Sequence, residues 1–298
     1  MRMWLLLVSF LVSFQASAQF SIVESDSGNR LRLLGRDFNM NFFSFAGLET
    51  DKMQNEGGRL TTYNYLTFAT YLDDLRFSVR VPFQYNTAGS DRFNGKKVNA
   101  QETYLQDLIL GLQKSDPLFL PWDLESYWEG RIYLPTSEQS QRTGMMARLR
   151  NTFNLAKVLT RNFELEYMNQ ASYYIQSRTA YLNRFEDQDG YLFEVISPTK
   201  QFDLDHKVTL WGKVSSATGL GLQFGQEISW WNASAQNQRD SRRQRELNLG
   251  PALKFPLSRN ANFILSYADT VDQDANAQEL GKFLAKNTQI SLLSFLRF

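Results

Sequence analysis

The chain is built largely of segments in which apolar and polar residues alternate. Successive side chains of a β-strand point to opposite faces, so this alternation indicates strands with one apolar and one polar face. Some connections are short, such as LDDL at 72–75, and others are longer and polar, such as PTSEQSQRTG at 135–144. An even number of such strands returns both chain ends to one side of a closed barrel. Twelve segments fit the pattern, at 37–49, 59–72, 75–87, 101–114, 123–134, 145–157, 162–176, 201–214, 219–232, 245–257, 261–271 and 286–298.

Two segments leave the number of strands open. SDPLFLPWD at 115–123 is a long and apolar connection where a short turn is expected. Residues 177–200 form either a large loop or an extra hairpin. Twelve strands are therefore the prediction for an all-β antiparallel barrel, with ten or fourteen as alternatives.

The C-terminal stretch QISLLSFLRF continues the alternation to the last residue. Ile290, Leu292, Leu296 and Phe298 share one face, with Ser294 as a weak member of the series. Chain ends usually fray, so an apolar end predicts apolar surroundings. The stretch resembles the C-terminal assembly signal of bacterial outer-membrane barrels. That resemblance implies recognition by the barrel assembly machinery.

The N-terminal stretch has the features of a secretory signal. Arg2 precedes an apolar run at 4–14, and the small residues ASA follow at 16–18. A signal peptide over 1–18 is therefore predicted. The alternative is an uncleaved anchor, but the run is shorter than the roughly 20 residues that a spanning helix needs. We expect a periplasmic lead-in over 19–36 and a barrel over 37–298.

Secretion and alternation together predict a transmembrane β-barrel in the outer membrane of a Gram-negative envelope. Short turns and both termini should face the periplasm, including the turns at 73–74 and 258–260. The longer segments at 88–99, 135–144 and 234–244 should face outward. The expected partners are outer-membrane lipid, the assembly machinery and small solutes in the lumen. A soluble secreted β-sandwich remains an alternative.

Composition narrows the function classes. The chain has 32 Lys and Arg against 31 Asp and Glu, which argues against a nucleic-acid surface. It has no cysteine, so disulfides and thiolate chemistry are excluded.

Many charged residues fall on the polar faces of the predicted strands. A charge on the lipid face costs about 2–4 kcal/mol at the bilayer midplane, so these side chains should point into the lumen. If the 135–144 loop closes its hairpin symmetrically, Glu129 lies about opposite Arg150. The charges then form either an ion-pair network that fills the barrel or a constriction that selects solutes, with Arg148, Arg150, Glu129 and Glu166 as its narrowest part. The predicted channel-lining residues are Arg76, Arg80, Glu125, Glu129, Arg131, Arg148, Arg150, Glu164, Glu166, Asp203, Asp205, Lys207 and Lys213.

No catalytic arrangement is indicated. His206 is the only histidine, and it follows Asp205, but neighbours on a strand point to opposite faces. Outer-membrane phospholipases carry a serine two residues from the histidine, and Val208 stands in that position here. An enzyme is not expected, and a lipid-modifying one is the weakest alternative.

Two acidic loops raise the question of calcium. DQDANAQE starts at Asp272 and FEDQDGY at Phe185, and both place oxygen ligands close together. The helix-loop-helix calcium template requires Gly at position six and Glu at position twelve, and the first loop has Ala277 and Phe283 there. Solvated polar loops are predicted, with no metal site and no cofactor.

Three stretches carry a family resemblance. They are RFSVRVPFQY at 76–85, YLQDLILGLQ at 104–113 and RIYLPTS at 131–137. In this order they resemble a family of outer-membrane transporters linked with the phenol meta-degradation pathway, although Gln106 and Ser137 stand where that family has glycine. The resemblance implies passage of small solutes, aromatic ones included. We therefore expect a narrow passive channel, with a non-conducting structural or partner-binding barrel as the alternative.

Overall fold

The structure is a computed structural model that describes most of the chain after residue 30. The described residues are 31–33, 36–49, 60–90, 97–98, 101–118, 120–121, 124–186, 191–215, 218–232, 243–258, 261–272 and 288–297. The predicted signal peptide, most of the lead-in, Phe298 and most of both acidic loops lie outside them. None of the helices among these residues has the length and apolar character to cross a membrane.

The described residues form eighteen strands and one short helix. The strands are β1 (Leu31–Leu33), β2 (Arg36–Glu49), β3 (Thr61–Leu72), β4 (Leu75–Asn86), β5 (Gly89–Ser90), β6 (Lys97–Val98), β7 (Glu102–Leu105), β8 (Ile109–Ser115), β9 (Glu125–Tyr133), β10 (Met145–Thr160), β11 (Phe163–Gln176), β12 (Ala180–Glu186), β13 (Leu192–Pro198), β14 (Lys200–Lys213), β15 (Gly219–Trp231), β16 (Arg243–Ser258), β17 (Ala261–Asp272) and β18 (Thr288–Arg297). The helix α1 (Glu138–Thr143) lies between β9 and β10.

Twelve antiparallel strands close into a barrel, as the alternation predicts. Their order around the wall is β2, β3, β4, β8, β9, β10, β11, β14, β15, β16, β17 and β18. The last strand returns to the first through nine paired positions, from Gln289 opposite Glu49 to Arg297 opposite Asn41. Each strand of the wall therefore has a neighbour on both sides, as a sheet needs in order to span lipid, although β2 and β3 pair at only two positions, Asn39 opposite Ala69 and Met40 opposite Phe68.

The smaller strands settle one ambiguous segment, 177–200, and interrupt one predicted strand. The other ambiguous segment adds no strand among its described residues after β8 ends at Ser115. Residues 180–198 form the hairpin β12–β13, which pairs only with itself and lies outside the barrel sheet. The strand predicted at 101–114 is interrupted, because β7 and β8 both pair with β4 but are separated by residues 106–108. Pro82 of β4 has no N–H to offer at this point, and its carbonyl accepts from the Gln106 N–H at 3.0 Å.

The barrel wall is apolar outside and polar inside. Large apolar side chains such as Val81, Ile132 and Leu222 are exposed, whereas Gln113 and Thr152 are buried. A water-soluble protein would show the opposite distribution. The outer surface is therefore suited to lipid, and the polar side chains fill the interior.

The connections differ in length at the two ends of the barrel. The two-residue turn at Asp73 and Asp74 lies at the end that also holds the first residue of β2 and the last of β18. Lys114 pairs with the Asp74 carboxylate there, and this hydrogen bond holds the pKa of Asp74 below its usual range. The long connections that contain α1 and β12–β13 lie at the opposite end, whereas the connection between β8 and β9, residues 116–124, is long and lies at the same end as this turn.

Candidate functional site in the barrel lumen

Strand register identifies the inner face of the wall. Arg80 lies opposite Thr67 on β3 and opposite Ile109 on β8, which in turn lies opposite Tyr133 on β9. Continued around the barrel, this register places all thirteen charged residues predicted above on the same face as Ile109, Tyr133 and Met168, which line the internal cavity. Whether these residues line a conducting pathway stays a prediction.

Glu129 is the centre of a buried charged cluster. One carboxylate oxygen accepts from Arg80 and from Gln113, the latter at 2.5 Å, and the other oxygen pairs with Arg131. Glu129 is completely buried, and both arginines are less than a tenth exposed. The cluster thus joins β4, β8 and β9 across the inner face, and its side chains occupy the lumen where it lies.

The predicted pairing of Glu129 with Arg150 is wrong. Thr152 lies opposite Glu129, and Arg150 lies opposite Arg131. The loop does not close symmetrically about the predicted bounds, because the β9–β10 pairing ends with Tyr133 opposite Arg148, so that residues 134–147, with α1 among them, connect the paired positions in place of 135–144. The error amounts to two residues, which keeps every side chain on its predicted face but exchanges its partner.

A cavity of about 490 Å³ lies in the long-loop half of the lumen. Its wall includes residues of α1, of the β12–β13 hairpin and of the inner barrel face. Such a volume is typical of pockets that bind small molecules. Many of the lining residues are aromatic, among them Tyr63, Phe83, Tyr133, Tyr174, Tyr181 and Trp231.

Two arginines of β10 stand over one tyrosine in the wall of this cavity. The guanidinium carbon of Arg148 lies 3.5 Å from the centre of the Tyr133 ring, and that of Arg150 lies 5.3 Å from it. Tyr174 flanks Arg148 at 5.6 Å, and Arg150 Nε donates to the hydroxyl of Ser172 at 3.0 Å. Cation–π contacts of this kind hold the guanidinium planes in position.

The remaining charged groups of the cavity wall each have hydrogen-bond or ion-pair partners. Lys200 Nζ lies 2.8 Å from an Asp203 carboxylate oxygen, and the hydroxyl of Tyr174 donates to the other oxygen at 2.6 Å. Asp107 is the acid of the lining, and its carboxylate accepts from the Ser137 N–H at 3.0 Å and the Ser140 hydroxyl at 2.5 Å. Asp107 therefore anchors the start of α1 against the wall.

Glu166 belongs to a different group from Arg148, Arg150 and Glu129. Its carboxylate accepts from Trp211 Nε1 at 2.9 Å and lies 3.8 Å from Lys254 Nζ. Trp211 is fully buried and packs over Gly221 on the next strand. Any larger residue at 221 would place its Cβ 2.6 Å from the indole ring, so the glycine makes room for Trp211. The four residues predicted as the narrowest charged zone are thus divided among three sets of contacts.

Some residues of the site were not identified from the sequence. Asp107, Gln113, Tyr174 and Lys200 all contribute to it, and alternation alone would have turned Gln113 and Tyr174 inward. Lys200 has the parity of the outward-facing Phe202, and a register shift between the two precedes its contact with Asp203. Asp107 lies in the irregular segment between β7 and β8, where alternation gives no direction.

His206 lies on the outer face, as alternation predicts. Its Nδ1 lies 2.9 Å from the Tyr167 hydroxyl and 2.8 Å from Asn169 Nδ2. Among the described residues, no group of three or more histidine or carboxylate side chains is arranged to hold a metal ion.

The comparisons with known proteins are consistent with this architecture. No family model matches the chain, and no curated protein sequence is significantly similar to it. Among solved structures, the COG4313 outer membrane channel from Pseudomonas putida F1 is similar over 92% of this chain and 100% of its own, with a TM-score of 0.55 and 11% identity. The NanC porin matches over 87% and 99% (TM-score 0.41, 8% identity), and LpxR from Salmonella typhimurium over 87% and 100% (TM-score 0.40, 10% identity). The likeness to the first of these structures supports an outer-membrane β-barrel fold for this chain.

Proposed function

We propose that this protein is an outer-membrane barrel that acts as a narrow passive channel for small solutes. The observation that carries the proposal is the polar, charged interior with a 490 Å³ cavity in the half that holds the long loops. A barrel of eight strands is filled by its side chains, and sixteen strands leave an aqueous channel. Twelve strands fit a narrow passage between those limits.

The expected orientation follows from the same features. The apolar outer surface suits a bilayer, and both described chain ends lie with the short turn at 73–74. Barrels of this class place short turns and termini in the periplasm and longer loops outside. The cavity would then open towards the external medium and receive solutes from there.

The phenol-pathway resemblance remains part of the proposal. The three stretches that carry it lie side by side on β4, β8 and β9, and Pro82, Gln106 and Ser137 from them line the cavity. The aromatic character of the lining supports small solutes that carry a ring.

Conductance measurements in a planar bilayer test the proposal. The purified protein should give small, steady current steps, and replacing Arg148 and Arg150 with glutamine should shift the reversal potential in a salt gradient towards cation preference. The matched control is Arg161→Gln with Arg243→Gln. It also removes two arginines, one from the turn between β10 and β11 and one from the outer face of β16.

The outcome also decides between the two readings of the charged lumen. Unchanged selectivity in a conducting protein would show that Arg148 and Arg150 do not line the passage. A protein that never conducts would favour a non-conducting structural or partner-binding barrel, for which the completely buried Glu129 cluster is the specific support.

A further inference from the structure

We infer that the cavity is a binding site for small aromatic carboxylates, held by Arg148 and Arg150 of β10. This inference deepens the proposed function, because it names a solute class for the proposed channel. It rests on three observations, which are the excess of positive charge in the cavity wall, the fixed position of the two guanidinium groups and the aromatic surface around them.

Arg148 and Arg150 outnumber the one carboxylate in the described part of the lining, Asp107, which accepts from Ser137 and Ser140. Arg131 and Lys200 also line the cavity, but they pair with Glu129 and Asp203. Among the described residues no carboxylate oxygen lies within 4 Å of Arg148 or Arg150. Two cations in a confined lumen repel each other more strongly than at an open surface, so an anion placed between them is favoured.

The two guanidinium groups are held in position without being neutralised. Tyr133 lies beneath both, and Ser172 fixes Arg150 through its Nε. Arg148 Nε is buried and has no hydrogen-bond partner among the described residues. A planar guanidinium presents N–H groups in a fork that matches the two oxygens of a carboxylate. The site therefore offers donors that a carboxylate would satisfy and a neutral hydrocarbon would leave unpaired.

The remaining wall supplies a surface for a ring. Tyr63, Phe83 and Trp231 line the same cavity, and Ile109 and Met168 add aliphatic contacts. An aromatic ring would bury its faces against these side chains while its carboxylate meets the arginines. The class of solute that fits both the two arginines and the aromatic wall is a small planar acid of the benzoate type.

Binding is measured on the full-length protein in detergent by isothermal titration calorimetry, so conduction is not required. The probes are benzoate, benzyl alcohol and acetate, which separate the contributions of ring and charge. Benzoate should bind saturably, and each of the other two should bind at least tenfold more weakly. Equal binding of benzyl alcohol would overturn the role of the charge, and equal binding of acetate would overturn the aromatic class.

Variants locate the site. Arg148→Gln with Arg150→Gln should weaken benzoate binding at least tenfold, and the Arg161→Gln and Arg243→Gln control should leave it unchanged. If the double variant fails to assemble, Arg150→Lys, which keeps the charge but loses the fork, should still weaken binding severalfold. Unweakened binding in an assembled double variant, or in Arg150→Lys, would overturn the assignment.

The two proposals fail separately. Benzoate binding without conductance would overturn the channel and leave this inference standing. Conductance without benzoate binding would overturn the carboxylate site and leave the proposed channel standing.

Discussion

At the scale of single residues, Glu129 is a buried charge that depends on its neighbours for compensation. Its carboxylate is completely buried and is shared by two arginines and a glutamine from three strands. Buried ion pairs contribute little net stability compared with apolar residues of the same shape, but removal of one partner leaves an uncompensated charge. The cluster is therefore sensitive to truncation whether or not it serves transport.

Truncation of Glu129 should destabilise the barrel. Glu129→Ala leaves Arg80 and Arg131 close together without an anion, and we expect a loss of about 3–5 kcal/mol in the free energy of unfolding. The measurement is thermal or denaturant unfolding in detergent, followed by circular dichroism and by the gel shift of the folded barrel.

A matched control is available on the same strand. Glu125 lies on the same face of β9 but is exposed, so Glu125→Ala should change stability by no more than about 0.5 kcal/mol. Equal stability of the two variants would show that the Glu129 carboxylate is solvated and not structurally required.

The sequence predicts which way a residue points but not which residue it meets. Alternation was sufficient to place Glu129, Arg131 and Arg150 on one face of the wall. Their partners depend on register, which the loop at 134–144 sets through a helix that the polar sequence does not reveal. A register offset of two residues preserves the faces and changes every pair, so contacts in the lumen could not be predicted.

At the scale of strands, the β16–β17 pair contains an unusually close approach. Pairing is interrupted between Leu249 and Ala252, where Pro251 has no N–H to donate. A Cβ on Gly250 would overlap the backbone carbonyl oxygen of Tyr267. Glycine is therefore required there by space.

Replacement of Gly250 should disturb this strand pair. Gly250→Ala forces the Tyr267 backbone to move, and we expect a loss of at least the roughly 1–3 kcal/mol that overpacking costs. Unfolding in detergent measures it. Gly225→Ala on β15 is the control, because a Cβ there would meet its nearest atom at an ordinary 3.4 Å. If both variants were equally stable, the close approach at Gly250 would have no structural importance.

The last strand closes the barrel and carries the end of the apolar series. β18 pairs with β17 on one side and β2 on the other, so the barrel cannot close before it is in place. Deletion of Phe298, or Phe298→Ser, should reduce the amount of folded protein in the outer membrane severalfold. Fractionation and the gel shift of the folded band measure this.

The neighbouring Arg297→Gln change serves as its control. Arg297 lies on the inner face, opposite Asn41, and is not part of the apolar series. Accumulation of the Phe298 variants at the normal level would contradict the reading of this end as an assembly signal.

Strand positions could be predicted closely because each barrel strand has one lipid face and one lumen face along its whole length. β3, β10 and β15 begin within two residues of their expected starts. The hairpin β12–β13 and the interruption at 106–108 could not be predicted. The hairpin lies outside the barrel sheet, and the interruption depends on a proline of the neighbouring strand.

For the molecule as a whole, closure and the distribution of polarity follow from the alternation, whereas the state of the lumen does not. The same inner face holds a compact cluster at Glu129 and a cavity beside Arg148 and Arg150. Which of them dominates depends on side-chain packing across the barrel, and packing between strands far apart in sequence has no signature in a local pattern.

Orientation in the membrane is the property of the whole molecule that can be tested most directly. Because the chain has no cysteine, each introduced cysteine is a unique thiol that an impermeant maleimide can label on intact cells. Gln141→Cys in α1 should react if the long-loop end faces outward, and Ser258→Cys at the opposite end should react only after the outer membrane is permeabilised. Positions 239 and 259 form a second pair of the same design, and labelling of all four in permeabilised cells controls for thiol exposure.

Reaction at 258 and 259 on intact cells, without reaction at 141 and 239, would reverse the orientation. The cavity would then open towards the periplasm, and a role in uptake from outside would have to be abandoned.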